Sequence, residues 1–228
     1  LKEALRDAGT EIGLFIAGGK GKTSLKTPAE IREVGEHHSL ARPPEDLVYA
    51  SRMSAKVDNS AVDDGYQIYH HCFVFTTQGE WAVIQQGMAP AAGWARRYHW
   101  LCTPEHPLDF VNEPHAGVIT QQIARDVLNM VARESSECRQ ICASLAGEPP
   151  ERLTRELGRM QDLSLPARHD VRLSELLPSS VERILLKTYE TRPPDFEHLL
   201  ATPGIGPKTI RSLALVAEVL YGVPASRR

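Results

Sequence analysis

The rhythm of apolar and polar residues changes several times along the chain, and each change predicts an element. Gly13 to Ala17 is a short apolar run that leads into Gly18-Gly19-Lys20-Gly21-Lys22-Thr23. Thr27-Pro28-Ala29-Glu30 follows. Threonine with glutamate three residues on, and proline at the first helical position, predicts a capped helix start with Thr27 as N-cap. The helix should fade near Gly35 or His38. Pro43-Pro44 opens a second helix from about Glu45 to the Asp58 region, where Leu47, Ala50 and Met53 recur at helical spacing. Tyr66 to Met88 carries the strongest strand signal: Tyr66, Ile68, Phe73, Val74 and Phe75, a turn at Gln78-Gly79, then Trp81-Ala82-Val83-Ile84. From Val118 to Leu145 the pattern predicts one long helix, with Ile119, Ile123, Val127, Met130 and Val131 on one face. Gly147 and Pro149-Pro150 end it.

The remainder reads as helical. Segments near Glu151 to Leu163, Leu173 to Leu177 and Ser180 to Tyr189 are separated by Pro166, Pro178 and Pro193-Pro194. A last helix, Lys208 to Leu220, shows Ile210, Leu213, Val216, Ala217 and Leu220 as its buried stripe. The expected fold class is α+β: a mixed domain with a β-hairpin over residues 1–147, then a helical domain over residues 151–228.

Composition changes this picture little. The chain has 228 residues, 42% hydrophobic and 24% charged, as in ordinary globular proteins. The formal net charge of -3 creates no global basic field, so any contact with nucleic acid must be local. Cys72, Cys102, Cys138 and Cys142 are too few for a disulfide framework in a chain this long, which favours a reduced, cytoplasmic setting. No apolar run reaches the ~18 residues that span a bilayer, so no membrane partner is expected.

The candidate chemistry is concentrated at the C-terminal end. Leu199 and Leu200 close a short helix, and Pro203-Gly204-Ile205-Gly206-Pro207-Lys208-Thr209 joins it to the last one. Glycine permits the positive φ of a tight turn and leaves room for a close neighbour. The N-terminus of the following helix presents backbone N–H groups and partial positive charge to a phosphate oxygen. Lys208 and Arg211 can add charge there. Gly204, Ile205, Gly206, Lys208, Thr209 and Arg211 are therefore the candidate DNA-binding residues.

The segment from Leu199 to Pro224 resembles the helix-hairpin-helix superfamily of DNA-binding proteins, and within it the DNA glycosylases related to endonuclease III. That resemblance implies DNA as partner, a role in repair or processing, and Lys208 as the catalytic nucleophile that forms a Schiff base. Such a lysine would need its pKa depressed by desolvation. The branch also carries an aspartate beyond a Gly-x-Pro element. Gly222-Val223-Pro224 matches the element, and no aspartate follows it up to Arg228. The iron–sulfur cysteines of some relatives are absent from this end, and no cofactor is expected. The whole chain, through Ala17 to Thr23 and Asp63-Asp64-Gly65-Tyr66, looks like a family known only as a domain of unknown function, which implies no activity.

Other constellations compete. Gly18 to Thr23 suggests a phosphate loop, but the Walker spacing requires glycine at position 16, where Ile16 stands. Lys56, Asp58, Asp63 and Asp64 crowd one region. Clustered carboxylates of this kind suit a metal-dependent nuclease, although the Glu-x-Lys expected on the next strand is missing at Glu80-Trp81-Ala82. Trp94, Arg96, Arg97, Tyr98, His99 and Trp100 interleave cations with aromatics. This is either a second nucleic-acid contact, through Arg96 and Arg97, or a folded loop with two core tryptophans. His70-His71-Cys72 lacks the further ligands of a zinc site, and strand alternation separates the two histidines, so no metal is expected. Three functions stand at this point: a DNA glycosylase or lyase, a metal-dependent nuclease, and a non-enzymatic DNA-binding module.

Overall fold

The computed structural model describes residues 2, 9–89, 93–105, 108–121, 127–160 and 179–227. The fold is α+β and falls into two compact units. One contains Leu1–Asp58, Gly65–Phe110 and Pro114–Ile123; the other contains Asn59–Asp64, Val111–Glu113 and Ala124–Arg228.

The first unit is built on a five-stranded antiparallel sheet of β1 (Leu14–Lys20), β3 (Gln67–Thr76), β4 (Trp81–Ala89), β5 (Trp94–Cys102) and β6 (Gly117–Thr120), in the order β1-β3-β4-β5-β6. Strand alternation sorts side chains between its faces. Phe15, Ala17, Phe73, Phe75, Trp81, Val83, Tyr98 and Trp100 are buried on one face. Helices α1 (Thr27–His37) and α2 (Pro44–Lys56) pack on each other and on these strands, adding Ile31, Leu47 and Met53 to the core. The predicted hairpin forms: Gly79 takes φ +87 in the turn, and Phe75 pairs with Trp81 across it. Trp94 to Cys102 is a strand rather than a loop.

Three local expectations are corrected. Thr27 does not cap α1. Residues Gly21–Lys26 already form a 3-10 turn, so Thr27 is the first helical residue and its hydroxyl donates to the Ser24 carbonyl at 2.7 Å. Glu30 instead accepts from the Gly18 amide at 2.7 Å and from Lys2 at 2.6 Å. The long helix from Val118 to Leu145 does not exist. Gly117–Thr120 is β6, Leu128–Asn129 is β7, paired with β2 (Val62–Asp63), and the α-helix here is Ser136–Ala146 (α3), entered through a 3-10 turn at Arg133–Ser135. The β-branched run Val118-Ile119-Thr120 suits an added strand, and apolar recurrence over short runs does not separate strand from helix. Finally, Leu220 is 48% exposed, and Ala214 and Leu215 are buried beside the predicted stripe.

The second unit is helical around the small β2–β7 pair. α3 packs on α7 (Pro207–Tyr221) and α6 (Phe196–Ala201), and α4 (Pro150–Met160) packs on α5 (Ser179–Thr191) and α7. Gly147 and Pro150 separate α3 from α4 as predicted. Gly222, at φ +69, ends α7, and the amides of Gly222 and Val223 satisfy the carbonyls of Glu218 and Ala217. The predicted segment Leu173 to Leu177 lies outside the described residues. No helix among the described residues is long and apolar enough to cross a membrane.

Candidate nucleic-acid interface

The C-terminal hairpin begins with a cap. Asp195 accepts from the His198 amide at 2.9 Å and from His198 Nδ1 at 2.7 Å, which starts the short helix α6. Burial alone would raise the Asp195 carboxyl pKa; the His198 amide and ring outweigh it and hold it below its ordinary value. Phe196, Leu199 and Leu200 anchor α6 in the core. Thr202-Pro203-Gly204-Ile205 then makes a turn closed by the Ile205 amide on the Thr202 carbonyl at 3.2 Å. Proline at the second position and a φ of +96 at Gly204 give it type II geometry, which a β-carbon at Gly204 would strain. Ile205 is 2% exposed and pins the turn to the core. Gly206 is extended and serves as N-cap of α7, with Pro207 in the first turn.

Each half of this arrangement faces a different way. Gly204 and Lys208 are exposed and Gly206 is half-buried, whereas Ile205 and Thr209 are buried. A β-carbon built on Gly206 meets no atom within 4 Å. An open backbone notch therefore sits at the start of a fifteen-residue helix, beside an exposed ammonium group. Arg211 does not point to open solvent as a spare cation: its Nε donates to Asp63 Oδ2 at 2.7 Å, and its Nη2 also pairs with that oxygen.

Of the other predicted residues, Arg97 is exposed on β5, while its neighbour Arg96 turns inward, 7% exposed, with its guanidinium 4.8 Å from the Tyr66 ring centroid. The carboxylates do not form a metal centre. Asp63 holds Arg211, and no group of three or more His, Cys, Asp or Glu among the described residues is placed to hold an ion.

Asp58 has a different surrounding, which sequence reasoning missed. Helix α2 runs into a single π-turn, Val57–Ala61, and this turn delivers Asp58 to the interior of the first unit with no exposure. Asp58 accepts from Gln85 Nε2 at 2.6 Å, Trp100 Nε1 at 3.0 Å and His115 Nε2 at 2.5 Å. Gln85 continues the chain of bonds: its Oε1 faces His71 Nδ1 at 3.0 Å, and His71 Nε2 faces the Ser51 hydroxyl at 2.9 Å. With the Gln85 amide committed to Asp58, its oxygen must accept, so His71 carries its proton on Nδ1 and accepts from Ser51. His70 lies on the opposite face, as alternation requires. The only sequence signal for this network was polar residues, His71 and Gln85, on the apolar face of predicted strands.

Burial pushes the His71 imidazole below its ordinary value of 6.5, the Gln85 bond opposes this, and the charge of His70 adds to it. A folded value below the unfolded one means that the unfolded chain takes up the proton first as acid is added. The stability tied to neutral His71 is thus complete above pH 6.5 and is lost as pH falls through the lowered folded value. We expect the melting temperature to fall on acidification from pH 6.5 down to that value, and His71→Gln to flatten the slope. An equal slope in both proteins would contradict this protonation scheme.

The model of the family described as "Protein of unknown function (DUF763)" matches residues 1–228. The chain belongs to DUF763. No curated protein and no solved structure matches the chain. Among the described residues of this DUF763 chain, polar chemistry is organised at the hairpin notch, Gly204–Lys208, and in the enclosed Asp58 network. The network lies inside the first unit, with Asp58 and Gln85 fully buried. The notch is open to solvent at Gly204 and Lys208.

Proposed function

We propose that this protein binds DNA through the hairpin between α6 and α7, in the service of DNA repair or processing. The observation that carries this reading is the open backbone at Gly206: it starts a helix, has no side chain, and has empty space where a β-carbon would lie. A phosphate oxygen can approach such a helix start closely, held by backbone N–H groups and the helix dipole, with Lys208 adding charge. The likeness of Leu199 to Pro224 to helix-hairpin-helix proteins points the same way. Binding of this kind is to the phosphate backbone and independent of base sequence.

The lysine-nucleophile reading asks for more than this. An amine that attacks a sugar carbon needs to be neutral near pH 7, which burial would provide. Lys208 is exposed, so the geometry supports a phosphate contact by Lys208 rather than catalysis.

Gly206→Asp separates binding from folding. Aspartate is a preferred N-cap, so the variant should melt at or slightly above the wild-type temperature. Its carboxylate would occupy and repel the phosphate position, and affinity for a short DNA duplex should drop about tenfold or more. Lys208→Ala should lower the salt slope of binding by about one unit, the loss of one phosphate contact. Wild-type affinity in a well-folded Gly206→Asp protein would remove the hairpin from the binding surface.

A further inference from the structure

The sheet of the first unit has a second face. Strand register places Lys20, His70, Gln86, Arg97 and Ile119 in one continuous row across β1, β3, β4, β5 and β6, pointing away from the buried face. Lys20, Arg97 and Ile119 are exposed, and His70 and Gln86 are half-buried. The neighbouring row adds Ile84, 39% exposed, and Leu101 beyond it is 48% exposed. Tyr69, at a β-bulge between Ile68 and His70, lies within 5.8 Å of the Lys20 ammonium and 6.5 Å of the His70 ring. The five strands carry Lys20, Arg96 and Arg97 and no Asp or Glu, in a chain whose formal charge is -3. The 3-10 turn leaving β1 adds the exposed Lys22 and Lys26.

We infer that this face is a docking surface for single-stranded DNA, with Lys20 and Arg97 on phosphates and the Tyr69–His70 edge and Ile84 beneath the bases. Charge selects the partner: strands without Asp or Glu, with Lys20 at one end of the row and Arg97 next to Ile119 at the other, suit a polyanion. Shape selects the strand state. A DNA groove admits a helix or a two-stranded ribbon, not the width of a five-stranded sheet, whereas unstacked bases can lie on a flat face. Three strand spacings separate Lys20 from Arg97, roughly 14 Å, so the row spans a short run of nucleotides. The inference extends the DNA-binding reading to a second surface and a second form of DNA, and it does not use the hairpin.

The probe is a fluorescent twelve-nucleotide oligo-dT, followed by anisotropy at several salt concentrations, with a short duplex measured in parallel. The double variant Lys20→Ala/Arg97→Ala replaces two exposed side chains and should keep the wild-type melting temperature. Its oligo-dT affinity should fall about tenfold or more at low salt, with the salt slope reduced by one to two. Gly206→Asp should leave oligo-dT binding intact. Loss of duplex binding in Gly206→Asp alone would uphold the hairpin whatever the sheet does. Unchanged oligo-dT affinity in the double variant, no oligo-dT binding by the wild type, or tighter binding to an RNA strand of the same length would each overturn the inference.

Discussion

Asp58→Ala is expected to unfold the first unit or bring it close to unfolding, at a cost of about 3–5 kcal/mol. The carboxylate is fully buried, and three donors from three strands or loops converge on it: Gln85 from β4, Trp100 from β5 and His115 from the segment before β6. Removing it strands the N–H groups of the buried Gln85 and Trp100, which lost their water on folding, and leaves the half-buried His115 imidazole without this partner. It also releases the Gln85 amide that orients His71, so Ser51 on α2 loses its defined partner as well. Asp58→Asn is the informative companion. It keeps the volume and one acceptor oxygen but places an amide where a donor already points, so it should cost less than alanine and still be clearly destabilised. Denaturant unfolding followed by tryptophan fluorescence checks both, because Trp100 touches the residue directly. A loss below about 1 kcal/mol in Asp58→Ala would show that the network is not what holds α2 against the sheet.

Arg139→Met should destabilise the second unit by about 2–4 kcal/mol. Arg139 lies on α3 with 6% exposure, and its Nη1 donates to the carbonyls of Met130 at 2.7 Å and Ala132 at 2.8 Å, while Nη2 reaches Asn112 Oδ1 at 3.3 Å. The Met130 carbonyl lies just after β7, and the Ala132 carbonyl, which also accepts from the Ser135 amide at 3.0 Å, opens the 3-10 turn Arg133–Ser135. The guanidinium ties both carbonyls to α3, and methionine fills the space without supplying a donor. Ser135 works on the same segment, donating to the Asn129 carbonyl at 2.6 Å and accepting from the Ser226 amide at 2.8 Å. Thermal melts of Arg139→Met and Arg139→Lys give the test. Lysine retains charge but lacks the fork, so it should recover only part of the loss; full recovery by lysine would mean that charge alone matters there.

The parts of the fold that were legible in the sequence are those whose signals are local. The β3–β4 hairpin was marked by β-branched and aromatic runs on either side of Gln78-Gly79. The end of α3 was marked by Gly147, the start of α4 by Pro149-Pro150, and α7 by its apolar stripe. The turn at Gly204 was likewise legible, because only glycine takes positive φ without strain at the third turn position. The mistaken helix from Val118 to Leu145 shows the opposite case. Its apolar residues repeat at a spacing compatible with a helix, yet Val118–Thr120 finds β5 as a partner, and pairing with a distant strand overrides the local pattern.

Sequence by itself determined the turns at Gln78-Gly79 and Gly204, most of the apolar stripe of α7, and that a glycine-flanked helix start stands beside Lys208. Only the tertiary structure decided which charges remain available. Arg211 is taken by Asp63 from 148 residues away, Arg96 is turned inward by strand alternation onto Tyr66, and Asp58 is carried into the core by one π-turn. A side chain's type fixes what it can bind, but its partners are set by which distant segments fold against it, and that information is spread over the whole chain.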